Sequence, residues 1–383
     1  MIIPIRSLLP ILLDLGRTPV RASLSALLPL LAMLTVGPAA YAATLTVCPS
    51  GCNFAAIQPA VDSASSGDTV RVFGGVYPGP VIITNKSLIL RGNGASRTVI
   101  DGGNRNLTPD SWVVELNCSQ DIGITIRGVT ITHGGEIHAG GNLVNKGCRL
   151  SLKDSAVINS AGLGIEHSGG RLSVQDSVIS GSDGGVGGGI VLAAGTGSLI
   201  HSAVFRNSSK GDGAGILIEK GGTLRVHRST ISNNGAFGGG GGISNNGKLE
   251  VIGSNIINNT NCQFECGIQN KGVATITDSL IADNEAAAGD GGGIGNSGKL
   301  TLIRSTVRNN RAPFCDEPIC GPPRGGHGGG IFNGEKARLI LRGSLITENF
   351  AGVDGGGVFN DGGTVLQTKT FIINNTPNDC AGC

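Results

Sequence analysis

The sequence predicts an all-β fold, a single-stranded right-handed parallel β-helix with about 26 residues per coil and an N-terminal amphipathic capping helix. Two repeating patterns predict it: a Gly-Gly-Gly-Ile motif and a set of Asn residues at a fixed distance from it. Self-similarity at a fixed period of this length is typical of solenoids. The composition agrees, because 66 of the 383 residues are Gly and only 3% are aromatic. Gly without a strict three-residue period excludes collagen, and the high aliphatic content argues against disorder.

The motif begins as Gly162-Leu163-Gly164-Ile165 and is clearest as Gly240-Gly241-Gly242-Ile243. Its aliphatic residue recurs every 25 to 27 residues, apart from one step of 37: Ile165, Ile190, Ile216, Ile243, Ile268, Ile294, Ile331 and Val358. The long step contains residues 313–323, which we interpret as a loop inserted into one coil. Recurrence of Gly at one register indicates positive φ or a close approach of the backbone.

Each unit contains three short runs with alternating apolar residues, separated by Gly and Asn, which predicts three strands per coil. One coil cannot bury its own apolar face, so coils must stack about 4.8 Å apart. We therefore expect the apolar side chains of neighbouring coils to lie on one another in three pairs: Ile243 with Ile268, Val251 with Ile276, and Ile256 with Ile281. Such a narrow interior suits Ile, Val and Leu and leaves little room for aromatic rings.

Two columns of Asn recur at fixed positions of the unit. The first contains Asn245, Asn270, Asn296, Asn333 and Asn360, and the second contains Asn234, Asn259, Asn284, Asn310, Asn349 and Asn375. Asn tolerates the left-handed backbone that a sharp bend needs, and stacked amides can hydrogen-bond along the axis. We interpret both columns as structural and not as a binding site.

Residues 1–42 have the pattern of a secretory signal peptide. Arg6, Arg17 and Arg21 precede an apolar run of 13 residues, and Ala40 and Ala42 fit a small-residue cleavage site. The run is too short for a transmembrane helix, which needs about 20 residues. We expect removal of this segment, no integral membrane segment afterwards, and a secreted protein at the cell exterior or in the periplasm. The remaining chain is formally neutral and lacks a basic block, so no nucleic acid partner is expected.

Residues 43–80 are predicted to form an N-terminal cap, followed by the β-helix over 81–383. Ile57, Ala60, Val61 and Ala64 share one face of a short helix. Several strand-like runs follow: Thr69-Val70-Arg71-Val72, Val81-Ile82-Ile83, Leu88-Ile89-Leu90-Arg91 and Thr98-Val99-Ile100-Asp101. This opening resembles that of the pectin lyase-like superfamily, in which an amphipathic helix caps the first coil.

From about residue 140 to 376, the repeats resemble those of bacterial surface β-helices of the polymorphic outer-membrane type. The resemblance does not extend to an active site. Gln120-Asp121 is followed by Ile122, where pectin methylesterases have Thr, and their later Asp and Arg elements are absent. The resemblance therefore implies a fold and not an activity.

The ten Cys fall into five pairs, which in an exported chain indicates disulfides. Four pairs are close in sequence: Cys48 with Cys52, Cys262 with Cys266, Cys315 with Cys320, and Cys380 with Cys383. The fifth pair, Cys118 with Cys148, is 30 residues apart. Because the pairs are scattered along the chain, we expect no zinc site. No cofactor is expected either.

Asp290, His327 and Asp354 form the candidate catalytic site. Each stands four residues before the aliphatic residue of its unit, on three consecutive coils. Stacking would place the two carboxylates about 9–10 Å apart at the backbone, near the separation used by inverting glycosidases. Gly326-His327-Gly328 is similar to the Gly-His-Gly element of polygalacturonases, whose other motifs are missing. Two alternatives remain: Asp before Gly favours turns, and the trio could bind a metal.

A Lys register, Lys248, Lys299 and Lys336, stands five residues after the aliphatic residue. It could follow an anionic polymer or form a solvated edge that prevents aggregation. Trp112 and Tyr77 are the Trp and Tyr that remain after removal of the signal peptide, and Trp112 could belong to the core or to a cleft floor. Scarce aromatic residues argue against an efficient glycan-cleaving enzyme.

Two functions follow from these observations. The first is a structural, adhesive or glycan-binding role, with a polysaccharide or a cell-surface ligand as partner. The alternative is a polysaccharide lyase or glycoside hydrolase acting on an acidic polysaccharide, with Asp290, His327 and Asp354 as catalytic residues. The ligand-binding residues are not identified by the sequence.

Overall fold

The computed structural model describes residues 41–103, 112–135, 140–260, 262, 264–314 and 325–383. The chain divides into two units, Met1–Tyr41 and Ala42–Cys383. The described residues of the second unit are all-β apart from one short helix, α1 (Ile57–Ser63). The predicted signal peptide and the insertion at 313–323 lie almost wholly outside the described residues. Within the described residues, no helix has the length and apolar character needed to cross a membrane.

Three rows of parallel strands run along the stack of coils. Row 1 contains β4 (Val81–Thr84), β7 (Trp112–Asn117), β10 (Gly141–Lys146), β22 (Ile243–Asn245), β25 (Ile268–Asn270), β28 (Ile294–Asn296), β32 (Ile331–Asn333), β36 (Val358–Asn360) and β39 (Cys380–Ala381). Row 2 contains β1 (Thr44–Val47), β2 (Thr69–Val72), β5 (Leu88–Arg91), β8 (Gly123–Arg127), β11 (Arg149–Lys153), β23 (Lys248–Ile252), β26 (Val273–Thr277), β29 (Lys299–Ile303), β33 (Arg338–Arg342) and β37 (Thr364–Thr368). In three middle coils one long strand serves both rows: β13 (Leu163–Gln175), β16 (Ile190–Ile200) and β19 (Ile216–His227).

Row 3 forms a separate sheet of twelve strands in the described part of the chain, one for each of about twelve coils. Its strands are β3 (Gly75–Pro78), β6 (Thr98–Asp101), β9 (Thr130–Thr132), β12 (Ala156–Ile158), β14 (Val178–Ser180), β17 (Ala203–Phe205), β20 (Thr230–Ser232), β24 (Asn255–Ile257), β27 (Leu280–Ala282), β30 (Thr306–Arg308), β34 (Leu345–Thr347) and β38 (Phe371–Ile373). Short strands pair at the bends: β15 (Asp183–Gly184), β18 (Ser208–Ser209), β21 (Gly235–Ala236), β31 (Arg311–Ala312) and β35 (Phe350–Ala351).

The predicted stacking of coils about 26 residues apart is confirmed. Ile243 pairs with Ile268, Val251 with Ile276, and Ile256 with Ile281 in parallel register. All six side chains are fully buried, in an interior dominated by Ile, Leu and Val. Trp112 and Tyr77 are buried as well, so Trp112 does not form the floor of an open cleft.

The three Gly of the repeated motif have different roles. In six copies the first Gly has φ between 63° and 75°, a region that residues with a Cβ rarely adopt. The third Gly lies directly against the carbonyl of the equivalent Gly in the next coil, and a Cβ there would also meet a buried Asn amide. The second position holds a side chain in two coils, as Ala214 and Cys266. In other coils a Cβ there would collide with backbone carbonyl oxygens, as at Gly188, Gly292 and Gly329. The glycines thus permit the bend and the close contact between coils.

Both predicted Asn columns form buried hydrogen-bonded ladders. In the inner ladder (Asn245, Asn270, Asn296, Asn333 and Asn360), each Nδ2 donates to the Oδ1 of the next Asn at 2.7–2.8 Å. In the bend ladder, Asn207 precedes the six predicted residues, and the Nδ2–Oδ1 distances are 2.9–3.0 Å. The bend ladder ends when Asn375 donates to the carboxylate of Asp379 at 3.0 Å.

The predicted left-handed conformation of these Asn is wrong. At the bend ladder, positive φ belongs to the residue before each ladder Asn: Arg206, Asn233, Asn258, Asp283, Asn309, Glu348 and Asn374. The preceding residue makes the bend, and the ladder Asn can then turn its amide inward. A Ser column at another bend was missed by the sequence analysis. There, the backbone N of each Ser donates to the Oγ of the next Ser at 3.1–3.3 Å: Ser155, Ser177, Ser202, Ser229, Ser254, Ser279, Ser305 and Ser344.

Four disulfides lie in the described part of the chain: Cys48–Cys52, Cys118–Cys148, Cys262–Cys266 and Cys380–Cys383. Each joins a pair that the spacing had suggested. Cys118–Cys148 joins neighbouring coils, because the backbone N of Cys118 donates to the carbonyl of Lys146 at 2.9 Å.

The fifth predicted disulfide is not among these four. Cys315 and Cys320 both belong to the inserted segment, and both lie outside the described residues. A bond between Cys315 and Cys320 therefore stays a prediction from their spacing. Peptide mapping of the unreduced protein would test it.

His167 provides a prediction about the pH dependence of stability. Its imidazole is fully buried, and His167 is paired in register with Leu192 of the next coil. Burial lowers the pKa of His167 to about 4. The unfolded chain would titrate near pH 6.5 and therefore binds more protons between pH 4 and 6.5. His167 should then remove about 3 kcal/mol of unfolding free energy as the pH falls through this window. Urea denaturation of wild type and His167→Leu at several pH values measures this loss.

The His167→Leu variant should lack this contribution to the pH dependence of the unfolding free energy, because Leu does not titrate. Leu should fit at this position, since the neighbouring coil already holds Leu192 at the paired position. The contributions of other titrating groups cancel in the comparison with wild type. Equal slopes for His167→Leu and wild type would contradict the prediction.

Candidate functional site

Asp290, His327 and Asp354 lie in the turns that precede β28, β32 and β36. The carbonyl of His327 accepts a hydrogen bond from the backbone N of Gly291 at 3.0 Å, and the carbonyl of Asp354 accepts one from Gly328 at 3.1 Å. His327 and Asp354 form a parallel bridge. The three residues therefore occupy equivalent positions on three consecutive coils, at the spacing on which the sequence analysis relied.

Asp290 holds the imidazole of His327. Oδ1 of Asp290 accepts a hydrogen bond from the backbone N of His327 at 2.9 Å and another from its ring Nδ1 at 3.0 Å. Both side chains are 31% exposed. Because Asp290 fixes the proton on Nδ1, Nε2 of the neutral ring is left as an acceptor. The pair has the geometry of an oriented histidine at the protein surface.

Asp354 has a different role. Its Oδ1 accepts hydrogen bonds from the backbone N of Gly355 at 2.9 Å and from Nδ2 of Asn378 at 2.5 Å. Within the described residues, its carboxylate makes no hydrogen bond to His327. This arrangement is the turn stabilisation that Asp before Gly favours. The three predicted residues are thus neighbours, but Asp290 and His327 alone form a bonded pair.

The sequence analysis missed Glu265, which lies in the same register. Counting four residues back from Ile268 gives Phe264. In the structure the equivalent residue is Glu265, because its carbonyl accepts the hydrogen bond from the backbone N of Gly240 at 2.5 Å, as the carbonyl of His327 accepts one from Gly291. This coil lacks the left-handed Gly, so its turn is shorter by one residue. The sequence contained a signal of this shorter turn: Glu265-Cys266-Gly267 stands where other repeats have Gly-Gly-Gly.

The carboxyl group of Glu265 is in an environment that favours protonation. Burial raises its pKa, and the charge of Asp290 raises it further, while a hydrogen bond from Gln269 at 3.0 Å and the charge of Lys271 lower it. Its side chain lies over Gly295, where a Cβ would collide with Cγ of Glu265. Glu265, Asp290 and His327 therefore follow one another on three consecutive coils, with the acid and the imidazole two coils apart.

Two Phe rings lie beside His327. Phe332 and Phe359 are paired outward-facing residues of β32 and β36, and their rings stack with centroids 5.7 Å apart and an interplanar angle of 11°. The imidazole of His327 is 4.5 Å from the ring of Phe359. We call this surface, made by Asp290, His327, Phe332, Asp354 and Phe359, the histidine–phenylalanine patch. Its rings are half-buried and its polar atoms reach solvent.

The other sequence candidates are arranged differently. Lys248 and Lys299 lie in register on the outer face of row 2. On the next strand, the residue in register with Lys299 is Arg338 and not Lys336. The bend before β33 is two residues longer than the bend before β29, which moves Lys336 into the bend. In the part of the chain that the structure describes, no group of three or more His, Cys, Asp or Glu could hold a metal ion.

Comparison with known proteins supports the fold. Residues 112–269 match the family model of the right-handed β-helix region. The description of this family agrees with the predicted handedness. No curated protein sequence matches the chain significantly.

Solved structures of pectin lyase-like β-helix enzymes are similar over most of the chain. The A-module of the Azotobacter vinelandii mannuronan C-5 epimerase AlgE4 is 12% identical, with 85% of this chain and 94% of that chain aligned and a TM-score of 0.49. The pectin methylesterase from carrot is 13% identical, with coverages of 87% and 90% and a TM-score of 0.33. Pectate lyase Pel9A is 13% identical, with coverages of 86% and 78% and a TM-score of 0.32. Similarity at this level says nothing about activity.

Proposed function

Because the chain contains a right-handed parallel β-helix with a polar and aromatic surface patch, we propose that it is an exported protein that binds glycans at the cell exterior. The stacked rings of Phe332 and Phe359 beside His327 are the observation that carries this proposal. Aromatic rings offer an apolar surface for the C–H face of a sugar, and a few placed polar groups fix its orientation. The second oxygens of Asp290 and Asp354 have no hydrogen-bond partner in the described residues and can accept from sugar hydroxyls.

An extracellular location is supported by the predicted signal peptide and by the four disulfides. Disulfides persist in oxidising compartments and are rare in the cytosol. Cell fractionation would test the location, since we expect the protein in the medium, on the surface or in the periplasm. Recovery in the cytosol with reduced Cys would contradict it.

We also propose that α1 closes the N-terminal end of the stack of coils. Ile57, Ala60 and Val61 face inward and are buried. The amide of Gln58 pairs with β4, because Oε1 accepts from the backbone N of Ile82 at 2.7 Å and Nε2 donates to its carbonyl at 3.1 Å. The side chain thereby satisfies a strand edge that would otherwise be open to pairing.

Binding is favoured over cleavage by the bonding of Asp354. Its Oδ1 is held by Gly355 and Asn378, and within the described residues its carboxylate makes no hydrogen bond to His327. The residues that a catalytic trio would couple are therefore only neighbours in a row. A role in recognition requires no such coupling.

Catalysis on an acidic polysaccharide, as a lyase or a hydrolase, is a second candidate. One observation favours it: the raised pKa of Glu265, which lies one coil from Asp290 and two coils from His327. A carboxyl group that stays protonated can act as an acid, while an oriented imidazole can act as a base. The catalytic residues would then be Glu265, Asp290 and His327, and Asp354 would stabilise the turn.

We expect Phe359→Ala to weaken glycan binding by about tenfold or more, because it removes half of the aromatic surface and the ring against His327. The purified protein would be titrated with a panel of neutral glucans, pectins, alginates and glycosaminoglycans, while unsaturated and reducing ends are monitored. Phe371→Ala is the matched control, since Phe371 is 65% exposed but lies on row 3, away from the patch.

The outcomes separate the two candidates. Binding without turnover, weakened by Phe359→Ala and not by Phe371→Ala, supports recognition. Turnover that His327→Ala abolishes would replace the binding proposal by the enzymatic one. Equal affinities of Phe359→Ala and wild type for every bound glycan would exclude the patch as the binding site.

A further inference from the structure

Four cationic side chains lie in register on the outer face of row 2, at the N-terminal end of the stack. We call them the cationic row. Arg71, Arg91, Arg127 and Lys153 are paired in register on β2, β5, β8 and β11. Neighbouring strands place such residues about 4.8 Å apart along the stack. Farther along the same row, the positions are mostly uncharged: Gln175, Ile200, His227, Ile252, Thr277, Ile303, Arg342 and Thr368. The positive charge is thus concentrated at one end of the row.

Most of this charge is not neutralised by neighbours. Asp154 pairs with Arg127 at 2.9 Å, and the guanidinium of Arg71 lies 4.8 Å from the centre of the Phe73 ring. Arg91 and Lys153 have no acidic partner within the described residues. Like charges on paired strands repel one another. The three guanidinium groups therefore form a concentration of positive charge that can attract an anionic ligand.

The three Arg surround a surface pocket of about 300 Å³. Its other lining residues are Gly92, Asn93, Gly94, Gly128 and Asp154. Three guanidinium groups and one carboxylate give it a formal charge of +2. That charge matches a phosphate ester or a closely spaced pair of sulfate esters better than a single carboxylate. The planar fork of Arg binds such oxyanions through two parallel hydrogen bonds.

We propose that the pocket formed by Arg71, Arg91 and Arg127 binds a phosphate or sulfate ester of an extended polysaccharide. Lys153 lies one coil farther along the axis and binds the next anionic group of the same chain. A linear polymer fits because the row follows the stack and each coil adds a cation. Single-stranded nucleic acid fits less well, since it needs exposed rings for stacking, and the Phe73 ring beside the pocket lies under Arg71. The site is separate from the histidine–phenylalanine patch and does not rest on its proposed role.

The test compares Arg91→Gln with Arg342→Gln in the purified full-length protein. Arg342 occupies the same row at the C-terminal end, where its neighbours are Ile303 and Thr368, and it serves as the matched control. Affinities for a heparin oligosaccharide, polygalacturonate of the same length, inorganic sulfate and phosphatidylglycerol vesicles are measured at one ionic strength. Arg91→Gln should weaken heparin binding by about tenfold or more, and Arg342→Gln by less than about twofold.

The sulfated oligosaccharide should bind more tightly than polygalacturonate, and wild-type binding should weaken steeply with added salt. Equal heparin affinity of Arg91→Gln and wild type would overturn the proposal, as would preference for polygalacturonate. Binding to the vesicles but to neither polysaccharide would assign the pocket to a lipid headgroup and overturn it too. Phe359→Ala should leave heparin affinity unchanged, which separates this result from the test of the proposed function.

Discussion

Asn284→Ala should lower the free energy of unfolding by about 3 kcal/mol, because it interrupts the bend ladder at its centre. Asn284 is fully buried and makes its ladder bonds in both directions. Its Oδ1 accepts from the backbone N of Asn259 at 3.0 Å and from Nδ2 of Asn259 at 2.9 Å. Its Nδ2 donates to Oδ1 of Asn310 at 2.9 Å and to the carbonyl of Ile256 at 3.0 Å. Alanine leaves the backbone N of Asn259 buried without an acceptor.

Urea denaturation followed by circular dichroism measures this loss. Thr301→Ala is the control, because Thr301 lies on the outer face of β29 near the same coils and should change stability by less than about 0.5 kcal/mol. Hydrogen exchange should show faster opening in the coils that contain Asn259, Asn284 and Asn310. A loss below about 1 kcal/mol for Asn284→Ala would mean that the ladder contributes little to stability.

Gly293→Ala should be at least as destabilising, by about 3 kcal/mol or more, because the added methyl group has no space. Its Cβ would lie 2.6 Å from the carbonyl oxygen of Gly330 and 2.9 Å from the amide of Asn310. The first contact is with the backbone of the next coil, and the second is with the bend ladder. Neither neighbour can move without breaking the register between coils.

Thermal and urea denaturation of Gly293→Ala are compared with those of Gly74→Ala. A Cβ at Gly74 would lie 3.4 Å from the carbonyl oxygen of Arg97, which is an ordinary contact. Gly74→Ala should therefore leave stability within about 1 kcal/mol of wild type. Similar stabilities of the two variants would show that the third Gly of the motif is not required by packing.

The coil and its stacking could be predicted because each coil has the same local needs. The bend before row 1 favours Gly, buried strands favour aliphatic residues, and both patterns recur in each coil. The predicted pairing of Ile243 with Ile268 follows directly from this period. The period also showed that 313–323 interrupts one coil, although most of that segment lies outside the described residues.

The conformation of the Asn columns could not be predicted from residue type. Asn tolerates left-handed backbone, yet Asn259 uses its side chain for the ladder while Asn258 takes the positive φ of 55°. Arg206 and Arg304 also have positive φ at bends, where residue preferences alone would not place them. Packing between coils decides which of two adjacent residues turns inward, and this competition is not visible in one repeat.

The candidate site was predicted in part. Spacing brought Asp290 next to His327, but it failed where a coil gains or loses residues. Glu265 was missed because its turn is one residue shorter, and Lys336 was placed in a row that Arg338 occupies. Counting from a single anchor residue assumes turns of equal length. The cationic row and the aromatic pair were missed because they depend on register across coils.

The measurement that tests the stacking most directly is an engineered disulfide across the long step. Thr301 and Ile340 are 39 residues apart in sequence, but they are paired in register on the outer faces of β29 and β33. Paired strands bring the Cα atoms of such residues within the range of a disulfide. After oxidation of the Thr301→Cys, Ile340→Cys variant, peptide mapping by mass spectrometry should find this cross-link in most molecules. The Thr301→Cys, Arg342→Cys variant, which is offset by two residues, should form little of it. Equal cross-linking of both pairs, or none in the first, would contradict the stacking of coils in this register.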